Sequence, residues 1–336
     1  MSESAPLFNW LNERSAGVLL HPTALPGATG IGTFGKYAYR WVDFLAQSGV
    51  RYWQVLPLGP TSYGDSPYQS FSAFAGNPYL IDLEALVDLR LLEAKDLEEL
   101  DSLGTTKVDF GAQYILRYKV LRKAFARFKK NPAEATYGAY DRFLTQNAQW
   151  LEPYTLFMAL KDAHAGAPWY EWEASLRRYD SAMRSAKAKE LAEERKAYAF
   201  WQYLFFGQWA RLKGYAASRG VSIIGDIPIF VAGDSVEVWS HPELFLLDSE
   251  GKATHVAGVP PDYFSELGQR WGNPLYDWET HQKTNYRWWL KRLGHSLELF
   301  DVVRIDHFRG FYDFWKIPAE SPDARTGEWV KGPALD

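Results

Sequence analysis

With 336 residues, 47% of them hydrophobic, the chain is long enough to bury a sizeable core as one large α/β domain or two smaller ones, which excludes a disordered protein. Lys and Arg number 37 against 41 Asp and Glu, a net charge of −4 with no basic stripe, so nucleic acid is not an expected partner. Cysteine is absent, which excludes disulfides and thiolate metal sites; the opening MSESAPLFNW lacks the layout of a secretory signal, and no apolar stretch approaches the roughly 20 residues that span a bilayer, so a cytoplasmic protein without a membrane partner is expected.

Four short apolar runs read as buried parallel strands, each ending in polar or turn residues: Ala16 to Pro22, Arg51 to Pro60, Val221 to Phe230 and Asp301 to His307. Between the first two lie a Gly-rich turn and an amphipathic helix, YAYRWVDFLAQSG, closed by Gly49, which makes a strand–helix–strand unit. About 160 residues separate the second strand from the third, too many for an ordinary crossover, so a segment is inserted. It reads as mostly helical, with helical spacing over Leu83 to Leu103, Gln113 to Lys130 and Asp180 to Ala217. A loop-rich stretch from Ala232 to Asp277 and a helix from about His281 to Leu299 lead into the fourth strand. The expected division is 1–76, two strands and a ligand-facing loop; 77–218, the helical insertion; and 219–336, two further strands with a covering loop at 258–278.

The aromatic count is high, with 15 Trp, 20 Tyr and 20 Phe. Most of these fill a core, but those in polar loops rich in Gly and Pro set ring faces beside hydrogen-bonding groups, a pairing that suits sugars. Residues Gly59 to Tyr79 form such a loop, holding Tyr63, Ser66, Tyr68 and Gln69. A second, Gly258 to Trp278, offers Asp262, Tyr263, Gln269, Arg270, Trp271 and Asn273 and has the makings of a lid. Asp226 interrupts the third apolar run, and a buried carboxylate must either meet a donor or face a polar cavity. In the run DVVRIDHFRGF, strand alternation puts Arg304 and Asp306 on one face and Ile305 and His307 on the other. A guanidinium beside a carboxylate favours its charged form, so the pair reads either as a structural ion pair or as a nucleophile with its cation.

The strings LPLGPTSYGDSPYQSFSAFAGNPYLIDL, GDIPIFVAGDSVEVW, GVPPDYFSELGQRWGNPLYDW and DVVRIDHFRGF, in this order, resemble the bacterial amylomaltases, the 4-alpha-glucanotransferases or disproportionating enzymes. The resemblance covers the chain from about Gly17 to its end. It implies an alpha-amylase-like (β/α)8 TIM barrel with inserted, mostly helical subdomains, of which four strands, about the first half, lie in this chain. It also implies transfer of a segment of a 1,4-alpha-glucan to another glucan or glucose by a retaining double displacement. By resemblance Asp306 is the nucleophile and Arg304 its supporting arginine; Asp226, Asp262, Gln269 and Trp271 line the donor and acceptor subsites; and Tyr63 and Tyr68 belong to a glucan contact surface with Ser66 between them. Asn273 and His307 join them as substrate-contacting candidates. The expected partners are maltooligosaccharides, amylose, or starch- and glycogen-derived glucans, with no metal or cofactor.

The family's acid/base glutamate follows the nucleophile strand, and none of Asp313, Glu320, Asp323, Glu328 or Asp336 resembles it in context. The expectation is that the acid lies beyond Asp336, that the isolated chain transfers little or nothing, and that the missing half of the barrel is a further partner. An alpha-amylase-type hydrolase and a non-catalytic glucan-binding fragment are the alternatives.

Overall fold

In the third and fourth apolar runs, β-branched side chains favour extended backbone, and neighbouring strands complete its hydrogen bonds. The computed structural model describes residues 13–62, 64–132 and 137–334. In it all four apolar runs form one parallel sheet: β1 (Gly17–Leu19), β2 (Tyr52–Gln54), β3 (Ser222–Pro228) and β6 (Val302–Asp306), in the order β1-β2-β3-β6. The strands are shorter than the runs, and Pro57 and Pro60, which lack an N–H to donate, follow β2. The register between β3 and β6 pairs Asp226 with Arg304 and Pro228 with Asp306. Paired residues project to the same face, so this register alone brings two charged residues from distant parts of the chain together.

Helix α1 (Lys36–Gln47) follows β1 and buries Ala38, Val42 and Leu45 in the core, with Gly49 at φ 70° reversing the chain after it. The expected helix over Leu83 to Leu103 is broken instead. It comprises α2 (Leu83–Asp88), a 3₁₀ turn at Ala94–Leu97 and α3 (Glu98–Asp101), and the break falls where Arg90 takes a left-handed φ of 58°. Next come α4 (Phe110–Phe128), α5 (Tyr140–Ala163), α6 (Tyr179–Met183), α7 (Ala186–Glu190) and α8 (Ala192–Ser218). Helix α5 has no readable amphipathic stripe, because Leu151 and the run Pro153 to Lys161 are buried all round, and Pro153 lies inside it. Buried side chains from the sheet and the insertion make one continuous core, in which Phe34 meets Phe205 and Trp209, and Trp209 meets Phe300.

The stretch from Ala232 to Asp277, expected to be loop, contains α9 (Val236–Ser240), β4 (His255–Val259) and β5 (Gln269–Pro274). After it, α10 (Trp278–Lys283) and α11 (Arg287–Leu299) replace the single expected helix. Strands β7 (Asp313–Pro318) and β8 (Glu328–Lys331) join β4 and β5 in a second, antiparallel sheet of order β5-β4-β7-β8. Glu328 therefore stands on a strand, and the covering loop narrows to the β4–β5 connection. These strands escaped notice because the small sheet is short of apolar residues: Ala257 and Phe314 join the main core and Val256 and Ile317 a minor cluster, which leaves little alternation to read. Among the described residues no helix is long and apolar enough to cross a membrane.

His281 is fully buried and ringed by Tyr276, Trp278 and Trp288. Burial lowers its pKa to about 4, and does the same to His21. The unfolded chain then binds more protons than the folded one between about pH 6.5 and 4, so stability falls as pH drops through that window, by up to roughly 3 kcal/mol per histidine. Urea midpoints should decline over this range, and His281→Phe should decline less steeply than the parent.

Candidate active site

The two sheets and the turn after β2 converge at the C-terminal ends of β3 and β6. At β3, Gly225 lies so close to the Phe300 ring that a Cβ would sit 2.1 Å from it, while Asp226, next along, points to the opposite face and is buried. Its Oδ2 accepts from the Tyr68 hydroxyl at 2.7 Å and from Arg304 Nη1 at 2.6 Å. The same guanidinium donates through Nη2 to Asp306 Oδ1 at 2.8 Å. One arginine thus bridges a buried aspartate and a half-exposed one, and among the described residues it pairs with no other carboxylate.

Burial raises the Asp226 carboxyl above its usual range, against the pull of the Tyr68 hydroxyl and the Arg304 charge. Burial, then the bond to Asp226, pushes the Tyr68 hydroxyl up to about 12, so it stays a donor at neutral pH. Partial burial works against the Arg304 charge, yet Asp226 and Asp306 together raise its pKa. Asp226 Oδ1 has no partner among the described residues.

After β6 the chain reverses at His307, which adopts a left-handed φ of 53° and opens the 3₁₀ turn Phe308–Phe311. Its ring meets the Trp271 indole edge to face at 4.9 Å. Burial lowers the His307 pKa, and its Nε2 has no partner among the described residues. Trp271 is held by its own strand, donating from Nε1 to Gln269 Oε1 at 3.0 Å.

The turn after β2 docks on β5: Gln69 Nε2 donates to Asn273 Oδ1 at 3.1 Å and to the Trp271 carbonyl at 3.4 Å. Asn273 is buried and gives its amide to the Val231 carbonyl at 2.9 Å. Asn273 thereby ties the turn, β5 and the exit of β3 together. Ser66 Oγ accepts from the Tyr68 amide at 3.3 Å and shapes the same turn. Tyr63 lies outside the described residues.

Asp262 is not gathered around Arg304. It caps the β4–β5 connection, where its Oδ1 accepts from the amides of Phe264 at 2.9 Å and Ser265 at 2.8 Å. The rings of Tyr263 and Phe264 stand 97% and 93% exposed at that tip. Arg292 carried no readable signal, since an arginine in RWWLKRLGH reads as solvent-facing. It is buried, donates to the carbonyls of Ile229 at 3.1 Å and Pro228 at 2.5 Å, and lies over the Trp289 ring at 4.9 Å, fixing the end of β3.

A family model described as 4-alpha-glucanotransferase matches residues 20–336. A 4-alpha-glucanotransferase of Thermus thermophilus is 54% identical over 321 residues, which make up 95% of this chain and 63% of that protein. One from Streptococcus pneumoniae serotype 4 is 48% identical over 325 residues, 96% of this chain and 64% of the relative. Among solved structures, the amylomaltase from Streptococcus agalactiae in complex with acarbose superposes with a TM-score of 0.90 at 41% identity, over 96% of this chain and 65% of that one. The amylomaltase from Corynebacterium glutamicum, at 19% identity and a TM-score of 0.73 over 95% of this chain and 44% of that one, shares the fold. The chain belongs to the 4-alpha-glucanotransferase family and has its alpha-amylase-like α/β fold. It spans slightly less than two thirds of the length of the Thermus and Streptococcus pneumoniae relatives, 63% and 64%.

Proposed function

We propose that this chain carries the nucleophile side of a retaining 4-alpha-glucanotransferase site, acting on maltooligosaccharides, amylose and starch- or glycogen-derived glucans. The observation that carries the reading is the single guanidinium of Arg304 spanning Asp226 and Asp306 at the ends of two adjacent parallel strands. In barrels of this architecture, catalytic groups cluster at the C-terminal strand ends. The four parallel strands are strands of a (β/α)8 barrel, with 77–218 as its helical insertion between 1–76 and 219–336.

Asp306 attacks the anomeric carbon of an alpha-linked glucose unit; a carboxylate–carbon bond forms, the glycosidic C–O bond breaks, and the departing oxygen takes up a proton. The 4-hydroxyl of a second glucan then displaces Asp306 and releases its proton. Asp226 Oδ2 accepts from both Tyr68 and Arg304, so that oxygen is an acceptor in the site and not the source of this proton. Asp226 and Tyr68 hold the reacting sugar, Trp271, Gln269 and His307 supply a stacking face and polar partners beside it, and Asp262 with the exposed tip of the β4–β5 connection closes over the chain. Closure favours capture of the intermediate by a sugar hydroxyl over water.

Titration calorimetry with acarbose should show saturable binding, weakened roughly tenfold or more by Trp271→Ala, the equivalent of about 1.4 kcal/mol. With alpha-maltotriosyl fluoride as donor and glucose as acceptor, maltotetraose should form, because fluoride departs with little protonic help. Release of maltotriose alone would mark a hydrolase, and binding indifferent to Trp271 would remove the glucan reading.

A further inference from the structure

The turn that presents Tyr68 and Gln69 is anchored at two ends. Its first half reaches the site, with Tyr68 bonded to Asp226 and Gln69 to Asn273. Its second half is held from beneath by α9. The Val236 amide donates to the Phe71 carbonyl at 2.9 Å, and Glu237 Oε1 accepts from the Ser72 hydroxyl at 3.0 Å and the Ala73 amide at 2.9 Å. Ser72 Oγ in turn accepts from the amides of Phe74 at 3.1 Å and Ala75 at 3.2 Å. A hydroxyl has one proton and two lone pairs, so Ser72 is used to capacity, and with one carboxylate oxygen it satisfies three consecutive backbone donors.

Glu237 and Ser72 are each 2% exposed. Glu237 Oε2 has no partner among the described residues, and burial raises its carboxyl above the usual range against the pull of the Ala73 and Ser72 donors and the nearby Arg292 charge. A half-satisfied carboxylate is an expensive way to fill space, and an apolar side chain would pack there with less penalty. What an apolar side chain could not do is accept from a hydroxyl and an amide together. Helix α9 is also the first element after β3, the strand that carries Asp226, so this one carboxylate sets the wall built from β2 against the wall built from β3.

We propose that Glu237 is a positioning residue for the site: through Ser72 it seats the 66–73 turn so that Tyr68 and Gln69 meet Asp226 and the glucan. The glucan half of this statement rests on the reading above; the seating of Tyr68 does not.

The test uses the 336-residue chain with Tyr68 replaced by ring-fluorinated tyrosine, read by fluorine NMR, alongside maltotriose affinity by calorimetry. Glu237→Ala should shift or broaden the resonance at position 68 and weaken maltotriose roughly tenfold or more. Glu237→Gln, which keeps an acceptor oxygen, should restore most of both. Asp96→Asn is the control, since it breaks a buried ion pair with Arg127 and Lys123 in the α4 wall and should leave resonance and affinity unchanged. An unmoved resonance in Glu237→Ala, or an equal shift in Asp96→Asn, overturns the proposal. Should Glu237→Ala not fold, Ser72→Ala removes the same link and is read by the same two criteria. If the parent chain binds no maltotriose, the glucan reading fails while the resonance still decides the role of Glu237.

Discussion

Exposed to a maltosyl fluoride that carries a second fluorine on the reacting ring, the chain should gain one covalent sugar, and peptide mapping should place it on Asp306. The second fluorine destabilises positive charge at the anomeric centre and slows both displacements, while the fluoride leaving group rescues the first, so the ester accumulates. Asp306→Asn should accumulate none, a drop of roughly 10⁴-fold or more in labelling rate. The loss should come without unfolding. The Asp306 side chain is 40% exposed and its bond to Arg304 is a solvent-screened pair, so removing the charge should change stability by less than about 1 kcal/mol. A label on another carboxylate would reassign the nucleophile.

The second large effect is on stability. Arg304→Met leaves Asp226, whose side chain has no exposure, with the Tyr68 hydroxyl as its one remaining side-chain donor among the described residues. Breaking a buried pair from one side costs roughly 3–5 kcal/mol; because Arg304 is itself 45% exposed, the lower end, about 3 kcal/mol or somewhat less, is expected. Burial already raises the Asp226 carboxyl, and losing the cation raises it further, so in the variant the folded state holds a proton that the unfolded chain releases. The deficit should therefore be small near pH 4 and grow as pH rises through the folded pKa toward about 8. Urea midpoints at the two ends of that range measure it. The double variant Asp226→Asn, Arg304→Met should recover most of the stability and none of the labelling, which separates the structural share of the guanidinium from its chemical share.

The four parallel strands were readable as apolar runs, but burial is confined to β2 and β3: Leu19 of β1 is 52% exposed, and no residue of β6 is fully buried. Arg304 and Asp306 were readable as a pair because residues two apart share a face. The partner of Arg304 was not: Asp226 lies 78 residues away, and which rung of β3 meets which rung of β6 is decided by packing rather than by either local pattern. The second sheet was missed for a related reason. QRWGNP carries Gly, Asn and Pro, residues that weaken strand propensity, and it forms β5 only because β4 supplies the ladder. Asn273 drew attention as a loop residue beside aromatics and is buried on β5, while Glu237, in a stretch read as loop, drew none and is buried on α9. Polar side chains that brace a site from inside leave the same trace in sequence as polar side chains that face water.

The pairing of Asp226 with Arg304 and of Pro228 with Asp306 has one more consequence. Sheet side chains alternate with a period of two, so a single residue inserted into or deleted from β6 ahead of Arg304 would turn the guanidinium and the neighbouring acid together toward the surrounding helices. Both groups would vanish from the cleft at once, with every amino acid of the reactive set still present. Natural length variation in homologous chains should accordingly collect in the connections and avoid these two strands, and redesign of the cleft can exchange its side chains freely only while the count of residues leading to them is preserved.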